Sequence, residues 1–218
     1  MTLSERYRAV LDYFEQSGAP DQAELHYRDA FTLLVAVMLS AQCTDRRVNM
    51  TTPALFDQYP TPDAMAAASV DDILSLIKSI SYPNSKAKHL SEMSKMLVER
   101  YHSIVPDNRN ELTALPGVGR KTANVVLAVW FGQPAMAVDT HVLRVADRIG
   151  LTTNKRQNPL ATELTLTRHI PPQLIPRAHH WLILHGRYTC TTRNPKCDSC
   201  GISPFCRYFA KTKQDLNL

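Results

Sequence analysis

Residues Leu115-Pro-Gly-Val-Gly-Arg-Lys-Thr-Ala123 decide how this chain is read. Pro116 cannot continue a helix, and Gly117 and Gly119 admit the positive φ that other residues resist. A short helix capped by Asp107 is therefore expected to end at Leu115. A tight hairpin follows, and a second helix starts near Arg120, runs to Phe131 and closes at Gly132. Such a helix–hairpin–helix turns the amides of Gly117, Val118 and Gly119 outward beside a helix N-terminus. With Arg120 next to them, they make an anion site of the size of a phosphate. A plain helical corner joined by a Pro-Gly turn is the blander alternative.

Lys121 falls in the first turn of that second helix, its charge set against the positive end of the helix dipole. Burial against a bound polyanion would act in the same direction, toward the neutral amine that a nucleophile requires. Read alone, a lysine here is more often a phosphate contact than a nucleophile.

Outward from this stretch the chain reads as almost entirely helical. Apolar residues recur at three- and four-residue spacing, glycines number only 7, and 14 prolines punctuate the segments. Helices are expected over residues 3–17, 29–42, 45–58, 70–79, 84–102, 107–114, 119–131, 140–149, 158–168 and 176–186. The segment FTLLVAVMLSAQ, residues 31–42, is apolar on all sides and reads as a buried central helix. Its apolar run is too short to span a bilayer, and the charged N-terminus lacks the core of a signal peptide. A soluble, intracellular protein is expected. The net charge of +5 is modest, but Arg187, Arg193, Lys196, Arg207, Lys211 and Lys213 form a local cationic zone opposed only by Asp198.

Ala137-Val-Asp-Thr-His141 leads into the amphipathic run Val142, Leu143, Val145, Ala146 and Ile149. Asp139 is placed at or near a helix N-cap, where backbone amides keep a carboxylate ionised. It is either a cap alone or a carboxylate able to accept protons and steady a developing sugar cation. Cys190, Cys197, Cys200 and Cys206 form C-x6-C-x2-C-x5-C, four thiols within seventeen residues. Their crowding, and the odd total of 5 cysteines, argue against a secreted disulfide framework. The spacing suits zinc or an iron–sulfur cluster about equally. A metal there would fold the basic loop carrying Arg193 and Lys196 onto a phosphate backbone. Cys43 reads as a small core residue on the central helix.

LPGVGRKTA, then VDTH with its aspartate eighteen residues past Lys121, then HGRYTC opening the cysteine cluster, together resemble the endonuclease III family of DNA glycosylases. The resemblance runs from FTLLVAVMLSAQ to Cys206. It implies an all-α fold of two helical lobes, with a helix–hairpin–helix, a groove between the lobes and a C-terminal four-cysteine cluster loop. The expected division is 23–133 for the central domain, and 1–22 with 134–218 for the second. The resemblance implies a [4Fe–4S] cluster on Cys190, Cys197, Cys200 and Cys206, Lys121 as Schiff-base nucleophile and Asp139 as essential carboxylate. It assigns Gln42 to the gap left by a flipped base and Tyr82 to a wedge position that is often leucine. Tyr82 and Pro83 make the SYPNSKA loop atypical. Thr113 departs from a glutamate found in some members.

The activity implied is a bifunctional glycosylase and abasic-site lyase, acting without a divalent metal on duplex DNA that carries oxidised or reduced pyrimidines or abasic sites. A monomer in the bacterial cytoplasm, associated with the nucleoid, is expected. The rivals are a monofunctional or mismatch-specific glycosylase on the same scaffold, and a cluster-bearing DNA-binding redox sensor.

Overall fold

The structure, a computed structural model, describes residues 1–152 and 158–216, with side chains as far as Lys213. It is all-α, with no strand among the described residues. The chain divides into two compact units, Ala23–Gly132 and Met1–Gln22 with Gln133–Leu218.

After α1 (Leu3–Gln16), which belongs to the second unit, the first unit forms around α2 (Ala30–Ser40). Asp29 accepts the amide of Thr32 at 2.7 Å, while the Thr32 hydroxyl accepts the amide of Asp29 at 3.0 Å; this capping box fixes where α2 begins. Every residue from Phe31 to Leu39 is buried. That follows from an apolar surface on all sides, which only a fully surrounded helix can hide. Its neighbours are α3 (Asp45–Gln58), α6 (Pro83–Tyr101) and α8 (Arg120–Val129). Two shorter helices, α4 (Pro62–Ala67) and α5 (Val70–Ile77), pack on α6, and α7 (Arg109–Ala114) packs on α8.

Prolines sort into two roles here. Pro62 and Pro83 occupy first helical positions, where the missing N–H is no loss. Pro53 lies inside α3, within the expected helix over 45–58, and the helix runs on past it. Val48, Leu55 and Phe56 bury one face of α3, and that packing outweighs one lost hydrogen bond. In the SYPNSKA segment α6 begins at Pro83, one residue ahead of the expected helix over 84–102, so only Ser81 and Tyr82 precede it. Sequence spacing missed α4 entirely.

The second unit packs α1 against α9 (Thr140–Ile149), α10 (Pro159–His169) and α11 (Ile175–Tyr188), and α12 (Arg207–Leu216) packs on α9. Tyr7, Val10 and Phe14 of α1 meet Val142, Val145, Leu166 and Trp181, with Phe14 stacked on Trp181 at 5.5 Å. Helices α9 and α11 approach closely at Gly186, where an added Cβ would lie 2.8 Å from the Cβ of His141. Helix α12 was not expected: three of its residues, Arg207, Lys211 and Lys213, are basic, and its apolar side is thin.

The hairpin between α7 and α8 depends on one glycine. Gly117 has φ +77, and a Cβ there would stand 2.8 Å from the Cβ of His89 and 2.9 Å from the Cε of Met38. Gly117→Ala therefore combines backbone strain with a clash against two helices. It should lower unfolding free energy by about 1–3 kcal/mol in urea denaturation; an unchanged midpoint would show that the hairpin can shift to make room.

Candidate functional site

Around the hairpin, α7 is capped by Asn108, which accepts the Glu111 amide at 3.0 Å, and not by the expected Asp107. Arg109 donates from Nε to Oδ1 of the buried Asn124 at 2.8 Å, tying α7 to α8. Helix α8 ends at Val129, short of the expected Phe131. Gly119 does not use positive φ. It sits in extended backbone at the N-cap of α8, where no side chain caps the helix. Val118 differs from expectation too: its side chain is buried and its amide donates to the Leu115 carbonyl at 3.1 Å, so that amide is unavailable to a phosphate. Gly117, Gly119, Arg120 and Lys121 are all exposed. Among the described residues nothing is paired with the Lys121 side chain.

Gln42 and Tyr82 lie in the same unit, and both hold left-handed backbone, with φ +55 and +56. Tyr82 is 65% exposed, so its side chain is not packed into the protein. Gln42 is exposed as well. Cys43 is half-buried in the turn after α2, its amide bonded to the Ser40 carbonyl at 3.0 Å; it is not a core residue of the helix. The Thr113 hydroxyl turns back on its own helix, donating to the Arg109 carbonyl at 2.9 Å.

In the other unit, Asp139 is the N-cap of α9. Its Oδ1 accepts the amides of His141 and Val142, both at 2.8 Å, and its Oδ2 is 2.9 Å from His141 Nδ1. The carboxylate is thus fixed by three donors on α9, with 13% of the side chain exposed. His141 stood inside the VDTH motif, but nothing in the sequence marked it as the partner of Asp139.

The four thiols of Cys190, Cys197, Cys200 and Cys206 line one cavity, closed by Ile149, Ile202 and Phe209. None is in a disulfide. Burial, then the neighbouring thiols, push Cys197 and Cys206 up, although backbone amides pull Cys206 the other way. Such a group holds several thiolates only with a compensating positive charge among them. Among the described residues, no three His, Cys, Asp or Glu side chains gather as a single-ion site would require. Burial lowers His185 to about 4, so a neutral imidazole stands 3.7 Å from the Cys200 sulfur.

Two arginines of α9 hold this loop. Arg144 donates to the carbonyls of Cys190 and Gly186 at 3.1 and 2.7 Å, and Arg148 to those of Thr191 and Thr192 at 2.7 and 2.8 Å. Arg148 also reaches the Cys190 sulfur at 3.6 Å and covers the Tyr208 ring. The loop carries Arg193 and Lys196 exposed. The expected sequence motif located the loop but not the two arginines that grip it.

A helix–hairpin–helix, an aspartate capping the following amphipathic helix and a four-cysteine loop define a class. The chain belongs to the HhH-GPD superfamily of base excision DNA repair proteins, whose family model matches residues 35–172. It is a base excision repair DNA glycosylase/lyase. Within that class it is similar to endonuclease III of Rickettsia felis, 48% identical over 92% of this chain and 93% of the relative. A solved structure of a trapped endonuclease III–DNA covalent intermediate has a TM-score of 0.90 at 41% identity, covering 98% of this chain and all of that one. A thermostable thymine-DNA glycosylase matches with a TM-score of 0.86 at 25% identity over 95% of this chain. Relatives such as those of Rickettsia felis and Escherichia coli are bacterial proteins, and no helix among the described residues is long and apolar enough to cross a membrane.

Asp139 has a structural duty that can be measured apart from catalysis. Asp139→Ala removes the acceptor of two amides and should destabilise the protein by about 1 kcal/mol, whereas Asp139→Asn keeps an oxygen there and should lose much less. Equal urea midpoints for wild type and Asp139→Ala would show that the cap contributes nothing.

Proposed function

We propose that this glycosylase/lyase removes oxidised or reduced pyrimidines from duplex DNA through Lys121. The observation that carries the reading is an exposed lysine, unpaired among the described residues, in the first turn of a helix that has no capping side chain. An uncapped N-terminus attracts a phosphate. The same backbone that would seat the DNA strand therefore delivers the amine to its sugar. Gly117, Gly119 and Arg120 take the phosphate, and Gln42 and Tyr82 enter the stack beside the extruded nucleotide.

The Lys121 amine attacks C1′, and the base leaves with the electrons of the glycosidic bond. Opening of the sugar ring gives an imine, which acidifies the C2′ proton. Loss of that proton expels the 3′ phosphate by β-elimination, and water hydrolyses the imine to release the enzyme. Asp139, held ready as an anion by its amide donors, stabilises positive charge on the sugar. Extrusion of the base requires a few kcal/mol of unstacking, least where pairing is already damaged.

For the cysteine loop we propose a [4Fe–4S] cluster. Cys190, Cys197, Cys200 and Cys206, which line one cavity, would hold it as thiolates. It would supply the positive charge those thiolates need and cross-link the basic loop. A monomer working at the nucleoid in the bacterial cytoplasm fits the bacterial relatives and the lack of any membrane-crossing helix among the described residues.

Borohydride reduction tests the role of Lys121. Wild-type protein on an abasic duplex should be trapped covalently, and Lys121→Gln should give no adduct while still binding that duplex. Trapping retained in Lys121→Gln would remove this lysine from the mechanism.

Purified protein should be yellow-brown and contain about four irons and as many acid-labile sulfides per chain. A colourless, active preparation with one zinc and no iron would overturn the cluster assignment.

A further inference from the structure

Gln42 and Tyr82 stand on separate segments, and neither backbone conformation is held by the residue's own side chain. Tyr82 is the N-cap of α6 and makes no capping bond. Both residues adopt left-handed backbone, which is strained for anything but glycine, so their surroundings must hold them.

The C-terminus of α2 shows what does. A helix end leaves carbonyls without intrahelical partners. At α2, the Val37 carbonyl accepts the Ser40 hydroxyl at 2.9 Å, Met38 accepts the Ala41 amide at 3.4 Å, and Ser40 accepts the Cys43 amide at 3.0 Å. Leu39 and Ala41 are met from outside the segment: Lys86 Nζ donates to both, at 2.8 and 2.6 Å. Lys86 belongs to the first turns of α6, and its own amide donates to the Tyr82 carbonyl at 3.1 Å. One residue therefore grips the carbonyl just before Gln42 with its ammonium and the carbonyl of Tyr82 with its backbone. An ammonium at the C-terminal end of α2 is also favoured by that helix's dipole. Burial lowers the Lys86 pKa, opposed by Cys43, which marks the ammonium as partly withdrawn from water. One turn further along α6, His89 abuts Gly117 of the hairpin, as does Met38 of α2.

We propose that Lys86 is a positioning residue for base extrusion. It locks the end of α2 to the start of α6, so that Gln42 and Tyr82 enter the duplex as one rigid pair. The inference rests on the reading of those two residues as the ones that enter the stack. Lys86 itself touches no reacting atom. Its loss should harm the step that displaces a paired base more than it harms strand cutting at a site where the base is already gone.

The test uses the full-length, cluster-containing protein in single-turnover cleavage of two duplexes, one with a damaged pyrimidine and one with a preformed abasic site. Lys86→Met, of similar length but unable to donate, should slow the damaged-pyrimidine reaction by about ten- to a hundredfold, as misplacement remote from the chemistry can do. The abasic duplex should lose far less, and Lys86→Arg should recover much of the rate. Adding Gln42→Ala to Lys86→Met should cause little further loss, because both changes disable one unit. If Lys86→Met does not fold, Lys86→Gln takes its place. Equal losses on the two duplexes, or full additivity with Gln42→Ala, would overturn the proposal. So would a wild-type rate in Lys86→Met where Gln42→Ala and Tyr82→Ala are impaired. If Gln42→Ala and Tyr82→Ala both keep wild-type rates on the damaged duplex, the contact reading itself fails, and the positioning role with it.

Discussion

At Gly117 the chain passes so close to His89 and Met38 that no side chain fits, and its φ of +77 would be strained for one. This single approach sets the path of the hairpin against α2 and α6. From there the direction of α8 follows, since Gly119 is its N-cap and Ala123 already bonds back to the Gly119 carbonyl at 3.0 Å. The first turn of α8, with Lys121, is thereby held at a fixed place on the first unit. A looser turn would leave the amine exposed but not aimed. The packing at Gly117 converts exposure into position, which a nucleophile needs more than it needs reactivity.

Helix ends carry most of the remaining chemistry, and the chain treats them differently. At α9, Asp139 satisfies two amides with its own carboxylate, so the anion is built in. At α8 no side chain fills that place, so an anion from outside is favoured there. At the C-terminus of α2 the outside group is a cation, Lys86, and it belongs to the protein. A fixed anion, a site suited to a bound anion and a fixed cation thus arise from one physical fact. Helix termini leave backbone groups that something must satisfy.

What could be read from sequence follows the same division. Glycines and prolines act on their own backbone, so the hairpin at 115–120 was legible as a local pattern. Asp139 was legible because a cap lies next to the amides it serves. The apolar run of α2 and the cysteine spacing were legible as composition and register. Contacts between distant segments were not. Lys86 meets carbonyls of residues 39 and 41, and Arg148 meets those of 191 and 192; nothing local distinguishes either from an ordinary surface cation. Val118 was misjudged because the hairpin consumes its amide, a detail of turn geometry that the LPGVG pattern does not reveal. The cap of α7 was misplaced by one residue, Asp107 for Asn108, since both side chains cap well and only the backbone conformation chooses.

The second unit shows why its cysteine loop and its carboxylate belong to one mechanical piece. Arg144 and Arg148 stand one turn apart on α9, the helix that Asp139 caps, and both end on backbone carbonyls of the loop or its approach. Guanidinium groups suit this duty, since their planar array of donors can meet several carbonyls at once. Gly186 lets α11 come close enough to α9 for Arg144 to reach it. Metal binding by the loop would therefore bear on α9 through these arginines and not only on Arg193 and Lys196. A domain whose loop must be organised before its basic residues point outward gains from anchoring that loop to the same helix that holds its carboxylate. Disorder in the loop would then loosen the carboxylate's helix as well as the basic residues.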